Sequence, residues 1–276
     1  MADEYKTLEV EKRGAIAIVT MNRPNKLNAL SGQLINDLHA CFSKMCYDFE
    51  SRVIILRGAG RAFCAGADLE QLTTGTPTET GSQYEMGPVQ YQYYMAQCVL
   101  SEIVVFMRRC PQPIIAAVNG HAVGGGFSLA LASDIRIISE SARMNAGYIR
   151  IGLSGCDMGS SYFLPRILGF SRAAEYLYTG RVIDAATADK IGLVSRVVPE
   201  DKLLDAALEL AEEMLLTSPF GLRMTKEAYN LNVDAPNLES ALNIENRNQS
   251  LLSCTEDHRE GGLAMFQKRK PAYRDR

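Results

Sequence analysis

Two short stretches of this 276-residue chain hold backbone that another molecule can approach closely. The first is "GRAFCAGADLEQL", Gly60 to Leu72, and the second is "VNGHAVGGGFSLALASD", Val118 to Asp134. Asp68 stands three residues before Gln71 at the start of a helix-like run, the spacing of a capping box, which puts Ala67 at a helix N-terminus. In the second stretch three glycines separate a strand-like apolar run from the start of a helix. N–H groups at such places point outward and favour negative charge. The plain alternatives are a capped turn with no ligand for the first, and close helix–strand packing for the second.

Three kinds of negative charge compete for the glycine run. A dinucleotide loop needs G-x-G-x-x-G early in a βαβ unit with an acid about 20 residues on, and the spacing here is wrong. A phosphate loop of the Walker type needs a Gly-Lys-Ser/Thr ending, which is absent. The third is an oxyanion hole, in which two donors meet charge developing on a carbonyl oxygen. The chain offers two candidate donors, Ala67 and Gly125.

Metal and redox chemistry find little support. His39, His121 and His258 are far apart and make no metal-ligand signature, so no metal site is expected. His121, next to the glycines, reads as a base or, more simply, as a structural residue. The seven cysteines contain no CxxC pair and read as reduced thiols in a cytoplasmic compartment; Cys156 reads as a buried one. A net charge of −3 argues against a general nucleic-acid surface, and no apolar run reaches the length of a membrane span. The N-terminus shows no secretory signal pattern.

The elements that must hold these stretches alternate. "AIAIVTMN", "VIILR", "PIIAAVNG" and "IRIIS" read as strands, and Leu30, Leu34, Leu38, Phe42 and Met45 fall at helical spacing. Strands separated by helices imply an α/β fold. From Asp201 the pattern turns helical, so a boundary is placed near 200: residues 1–200 as α/β core, 201–276 as helical tail. Thr73–Gly87, rich in Thr, Gly and Pro, reads as a mobile loop or a plain connection. Tyr84, Tyr91, Tyr93 and Tyr94 read either as walls of a pocket or as core.

The stretches "RPNKLNAL", "AFCAGADL", "NGHAVGGG", "TGRVIDAATADKIGLVSRVV" and "EGGLAMFQKRKPAY", in this order, resemble the crotonase superfamily, the enoyl-CoA hydratases and isomerases. The resemblance runs from about Ile16 to Tyr273. It implies a crotonase-like spiral of ββα repeats with a C-terminal helical trimerisation region. It also implies an acyl-CoA thioester as substrate, a homotrimer or dimer of trimers, and no cofactor beyond the coenzyme A of the substrate. The family's two oxyanion donors fall on Ala67 and Gly125. The substrate-binding positions it implies are Lys26, Asn28, Ala29, Ala65, Gly66, Asp68, Leu69 and Gly124. Lys268, beside Arg269 and Lys270, is implied near the phosphates of coenzyme A, with charge at a helix C-terminus as the simpler reading.

The sequence departs from the hydratase pattern where it matters for chemistry. The family's two glutamates correspond to Ser128 and to the second residue of Gly147–Tyr148. Neither is a carboxylate, and an unperturbed tyrosine titrates near 10, so Ser128 and Tyr148 are poor bases. One acid remains, Asp157 in "GLSGCDMGSSYFLPRILG". Several branches of the family carry a lone aspartate there, as base in isomerases or nucleophile in dehalogenases. The alternative is that Asp157 caps the helix starting near Gly159.

Overall fold

A computed structural model describes residues 5–70 and 87–276. The chain opens with an antiparallel hairpin of β1 (Leu8–Arg13) and β2 (Ile16–Met21). It then delivers strands in pairs: β3 (Val53–Gly58) with β4 (Ala62–Cys64), β5 (Ile114–Val118) with β6 (His121–Val123), and β7 (Ile135–Ser139) with β8 (Arg143–Asn145). The first of each pair joins one sheet, ordered β1-β2-β3-β5-β7-β10, and the second joins another, ordered β4-β6-β8-β9. β9 is Ile183–Asp184 and β10 is Arg196–Val198. Successive pairs meet in parallel, which demands a crossover between them. This is the expected spiral of ββα units.

The two-residue period of a strand explains why β3 and β5 read as unbroken apolar runs. Ile54, Leu56, Ile114, Ala116 and Val118 face one core, shared with α1 (Gly32–Met45), α2 (Cys98–Arg109) and α3 (Gly125–Ala132). Val53, Ile55, Ile115 and Ala117 face a second core, closed by Leu203, Ala207 and Ala211 of α7 (Leu203–Leu215). In sequence, α4 (Ser160–Leu168), α5 (Phe170–Thr179) and α6 (Ala185–Lys190) come between α3 and α7, and their buried apolar side chains join the first core. The expected boundary near 200 therefore falls just before a helix that completes the sheet. The change of sequence pattern there marks a layer, not the end of the core.

Beyond α7 come α8 (Pro219–Asn232), α9 (Leu238–Ser253) and α10 (Glu256–Phe266). Lys226 ties α8 to the core. Its buried Nζ donates to the carbonyls of Met107 and Gln112 (3.1 and 2.7 Å) and pairs with Asp134 (2.9 Å). Burial pulls the Lys226 pKa down, and the Asp134 carboxylate opposes that shift. By contrast, Leu238, Leu251, Leu263, Met265 and Phe266 are exposed on α9 and α10. Among the described residues no helix is long and apolar enough to cross a membrane.

Candidate active site

The two donor turns follow adjacent parallel strands, β4 and β6. After β4, Ala67 forms a parallel bridge with Leu30. The bridge uses the flanking groups: Leu30 N–H donates to the Gly66 carbonyl (2.7 Å) and Asp68 N–H to the Leu30 carbonyl (3.3 Å). The N–H of Ala67 points the other way and has no acceptor among the described residues. Leu30 is available for this because Ser31 caps α1 through Leu34 N–H, so the helix starts at Gly32, two residues later than the spacing of leucines suggests.

After β6, Gly124 takes φ 52° and ψ −118° and turns the chain into α3. Gly125 is the first residue of that helix, so its N–H lacks an intrahelical partner. All eight residues of α3 are buried, which leaves its N-terminus as the end that can meet a ligand. The two turns touch backbone to backbone. A Cβ built on Gly126 would lie 2.2 Å from the Cys64 carbonyl oxygen, and one on Gly66 would lie 2.7 Å from that of Val123.

A third segment closes over Gly125. A Cβ there would meet Leu30 Cδ1 at 2.4 Å and Met158 Sδ at 3.2 Å. Both are ends of flexible side chains that can give way, so packing within this chain crowds position 125 without by itself requiring glycine there. Met158 carries its neighbour Asp157 with it. The half-buried Asp157 carboxylate accepts through Oδ1 from Met158 N–H (2.8 Å) and from Gln97 Nε2 (2.5 Å). The helix cap of α4 is Gly159, with no side-chain capping bond, so Asp157 is not the cap that its Gly/Ser setting suggests.

Ser128 and Tyr148 sit beneath this turn. Ser128 Oγ donates to the Asp157 carbonyl (2.9 Å) and lies 3.2 Å from the Tyr148 hydroxyl. Burial holds the Tyr148 phenol above the ordinary tyrosine range, opposed by hydrogen bonds from Ser128 and Ser160. A neutral phenol there is a donor and not a base. The two positions that carry acids in hydratases are occupied here by hydroxyls that brace the Asp157 turn.

The remaining expected residues divide. Asn28 is fully buried and its side chain is spent: Oδ1 accepts from Arg23 N–H (2.8 Å), and Nδ2 donates to the carbonyls of Ala59 (2.9 Å) and Ala62 (2.8 Å). Asp68 pairs with Arg23 at 3.0 Å, and Arg23 also donates to the Ala29 carbonyl, which ties "RPNKLNAL" to "AGADL". Ala65 N–H donates to the Leu27 carbonyl (3.0 Å) in the same seam. Gln71, the partner in the expected capping box, and most of the expected loop with Tyr84 lie outside the described residues. Lys26 is exposed beside Glu70 (2.6 Å), which raises its pKa, and Leu69 is exposed next to it. Lys268 lies exposed past α10 and has no hydrogen bond or ion pair to the Asp157 cluster among the described residues. Cys156 is exposed, contrary to the buried thiol expected, because it precedes the turn that only Asp157 and Met158 enter. His121 is exposed on β6. Tyr93 and Tyr94 are also exposed, edge to face at 4.8 Å, so neither is core. The larger cavity near the C-terminus, about 610 Å³ between α8 and α9, contains none of these residues.

Gln97 is the residue the sequence did not mark. Nothing in its neighbourhood departs from an ordinary helix until the backbone is known. It ends a π-helical segment, Gln92–Gln97, that follows a helical turn at Pro88–Tyr91 and leads into α2.

A profile of the enoyl-CoA hydratase/isomerase family matches residues 11–276. The chain belongs to that family. It is 38% identical over 266 residues to a probable enoyl-CoA hydratase of Mycobacterium bovis, covering 95% of this chain and 90% of the relative. It is 33% identical over 270 residues to the 1,2-epoxyphenylacetyl-CoA isomerase of Escherichia coli K12, covering 98% of each. The crystal structure of a putative enoyl-CoA hydratase from Streptomyces coelicolor superposes with a TM-score of 0.90 at 34% identity, over 99% of this chain and 96% of that one. The fold is the crotonase fold, and the protein is an enzyme of the enoyl-CoA hydratase/isomerase type.

Proposed function

We propose that the enzyme shifts a carbon–carbon double bond in an acyl-CoA thioester, with Asp157 as its single base. The observation that carries this is the Asp157 turn itself: its carboxylate is half-buried, and its neighbour Met158 packs on Gly125. The thioester oxygen lies between the N–H groups of Ala67 and Gly125. Asp157 takes a proton from the acyl chain, the two donors hold the enolate charge on oxygen, and the same carboxyl returns the proton to the other end of the allylic system. Removal of one such donor typically costs about 2.7–4 kcal/mol of barrier. One carboxyl suffices for a proton transfer that starts and ends on the same substrate, whereas hydration needs a second group to hold and activate water.

Hydration remains the second reading, favoured by the name of the 38% identical relative. In that case Asp157 would hold the water. Hydrolysis, decarboxylation, carbon–carbon cleavage and dehalogenation are weaker readings of the same scaffold, as is a homologue that binds CoA without turnover. Lys26, Ala29, Ala65, Gly66, Leu69 and Gly124 are assigned to the substrate channel. Lys26 would have to leave Glu70 to meet a phosphate. The exposed apolar side chains of α9 and α10 support a homotrimer or dimer of trimers, which would carry Lys268 to a neighbouring site. No cofactor besides the coenzyme A of the substrate enters this scheme, and a cytoplasmic setting suits its thiols.

Asp157→Asn tests the reading. Turnover of a 3-enoyl-CoA should fall by at least about 100-fold, the general-base contribution, while calorimetric affinity stays within a few-fold. Mass spectrometry of the product separates the alternatives: unchanged mass marks isomerisation, one added water marks hydration, and free CoA marks hydrolysis. An Asp157→Asn enzyme with full activity refutes the assignment.

A further inference from the structure

We infer that Gln97 is a positioning residue for this reaction, holding one oxygen of Asp157 so that the other is aimed at the substrate. The inference rests on the reading of Asp157 as base. A carboxylate has two oxygens, and here they are treated differently. Oδ1 accepts two hydrogen bonds, from Met158 N–H at 2.8 Å and from Gln97 Nε2 at 2.5 Å. Oδ2 accepts none among the described residues. Two donors from different directions fix the plane and the position of the carboxylate. Oδ2 then keeps its lone pairs for a proton.

The two donors are not equivalent. The Met158 N–H belongs to the same turn and moves with it. Gln97 lies 60 residues away in sequence and arrives from the helical layer that leads into α2. Among the described residues it alone ties the carboxylate to a distant segment of the chain. Its place in the backbone is unusual in the same respect. Gln97 is the last residue of a π-helical segment, and each residue of helix turns a side chain by about 100°. The wider π register therefore aims Gln97 differently from an unbroken α-helix, and such segments are frequent at functional sites. The Gln97 carbonyl is secured in turn by the Ser101 hydroxyl, 2.6 Å away.

The Gln97 amide meets Oδ1 through Nε2, its donor end, as an acceptor-only carboxylate oxygen requires. The titratable groups beside this carboxylate are Tyr148, reached across Ser128, and Cys156. Neither donates to Oδ1.

Gln97→Leu removes the donor at similar volume. With a 3-enoyl-CoA in D2O, kcat and the rate of deuterium incorporation should fall about 10- to 100-fold, the effect of a base misplaced by about an ångström. KM should stay within about two-fold, a split that loss of substrate binding would not give. On an Asp157→Asn background the same substitution should have no further effect. Gln97→Glu is the second variant, should Gln97→Leu fold poorly: it keeps the length and replaces the donor with an acceptor, and should lower kcat and deuterium incorporation at least as far. A Gln97→Leu or Gln97→Glu enzyme with wild-type kcat and deuterium incorporation overturns the inference. So does an equal loss with and without Asp157. If Asp157→Asn alone keeps full activity, the base assignment itself has failed, and that outcome is read from a different variant.

Discussion

Gly126→Ala should damage both stability and turnover. The new Cβ would stand 2.2 Å from the Cys64 carbonyl oxygen, 2.7 Å from Cys64 Cβ and 2.9 Å from its carbonyl carbon. Those are main-chain and first side-chain atoms, so no flexible tip can swing aside. The two segments must part by about 1 Å, because Cβ contacts below 3.0 Å are essentially not found. Overpacking of this kind typically costs about 1–3 kcal/mol. Alanine is favoured over glycine inside a helix by about 1 kcal/mol, which offsets part of that cost and does not cancel a backbone clash. The functional cost is larger than the stability cost. Cys64 leads to Ala67 and Gly126 follows Gly125, so parting them opens the donor pair, and about 1 Å of misplacement is worth about 100-fold in rate. Urea unfolding and steady-state kinetics on an enoyl-CoA read the two effects separately. Gly262→Ala is the control, since a Cβ there meets nothing within 4 Å in the middle of α10. It should stabilise by about 0.5–1 kcal/mol and leave kcat alone. Wild-type stability and turnover in Gly126→Ala would refute the reasoning, as would a loss of the same size in the control.

Other outcomes follow from the same geometry. Arg23→Met leaves the Asp68 carboxylate, 8% exposed, without its partner, and should cost about 3 kcal/mol in urea unfolding, the low end for a broken buried pair. Tyr148→Phe should change kcat less than about three-fold, far less than loss of a catalytic base would, because Ser128 keeps its bond to the Asp157 carbonyl. Burial raises the Tyr148 pKa, so its stabilising contribution is fully present below the unfolded tyrosine value of about 10 and is lost as pH rises through the native value. Spectrophotometric titration of native protein should therefore lose one late-ionising phenol in Tyr148→Phe, while Tyr162, raised by its hydrogen bond to Asp234, remains. The catalytic variants Asp157→Asn and Gln97→Leu complete the set.

Much of the fold was legible because its signals are local. The strands β2, β3, β5 and β7 are apolar runs that stand out in any window, and α1, α7, α9 and α10 carry helical periodicity. The three-residue strands β4, β6 and β8 were not legible. They are too short to show a period and exist because each pairs with the previous turn of the spiral. The boundary near 200 followed a real change in composition, yet α7 folds back onto the sheet, a non-local fact.

The candidate site divides in the same way. Residue types and spacing offered Ala67 and Gly125 as candidate donors, and the family resemblance directed attention to the missing acids at 128 and 148 and to Asp157 as the candidate acid that remains. These are statements about which atoms exist at which spacing, and the chain carries them in any conformation. Tertiary structure decided what those atoms touch. It spent Asn28 on three backbone contacts, gave Ser128 to the Asp157 carbonyl, made Gly159 the cap in place of Asp157, and brought Gln97 to Oδ1 from 60 residues away. Hydrogen bonds and close contacts depend on distances that no sequence window holds, and for that reason the candidate acid Asp157 was visible in the sequence and its contact with Gln97 was not.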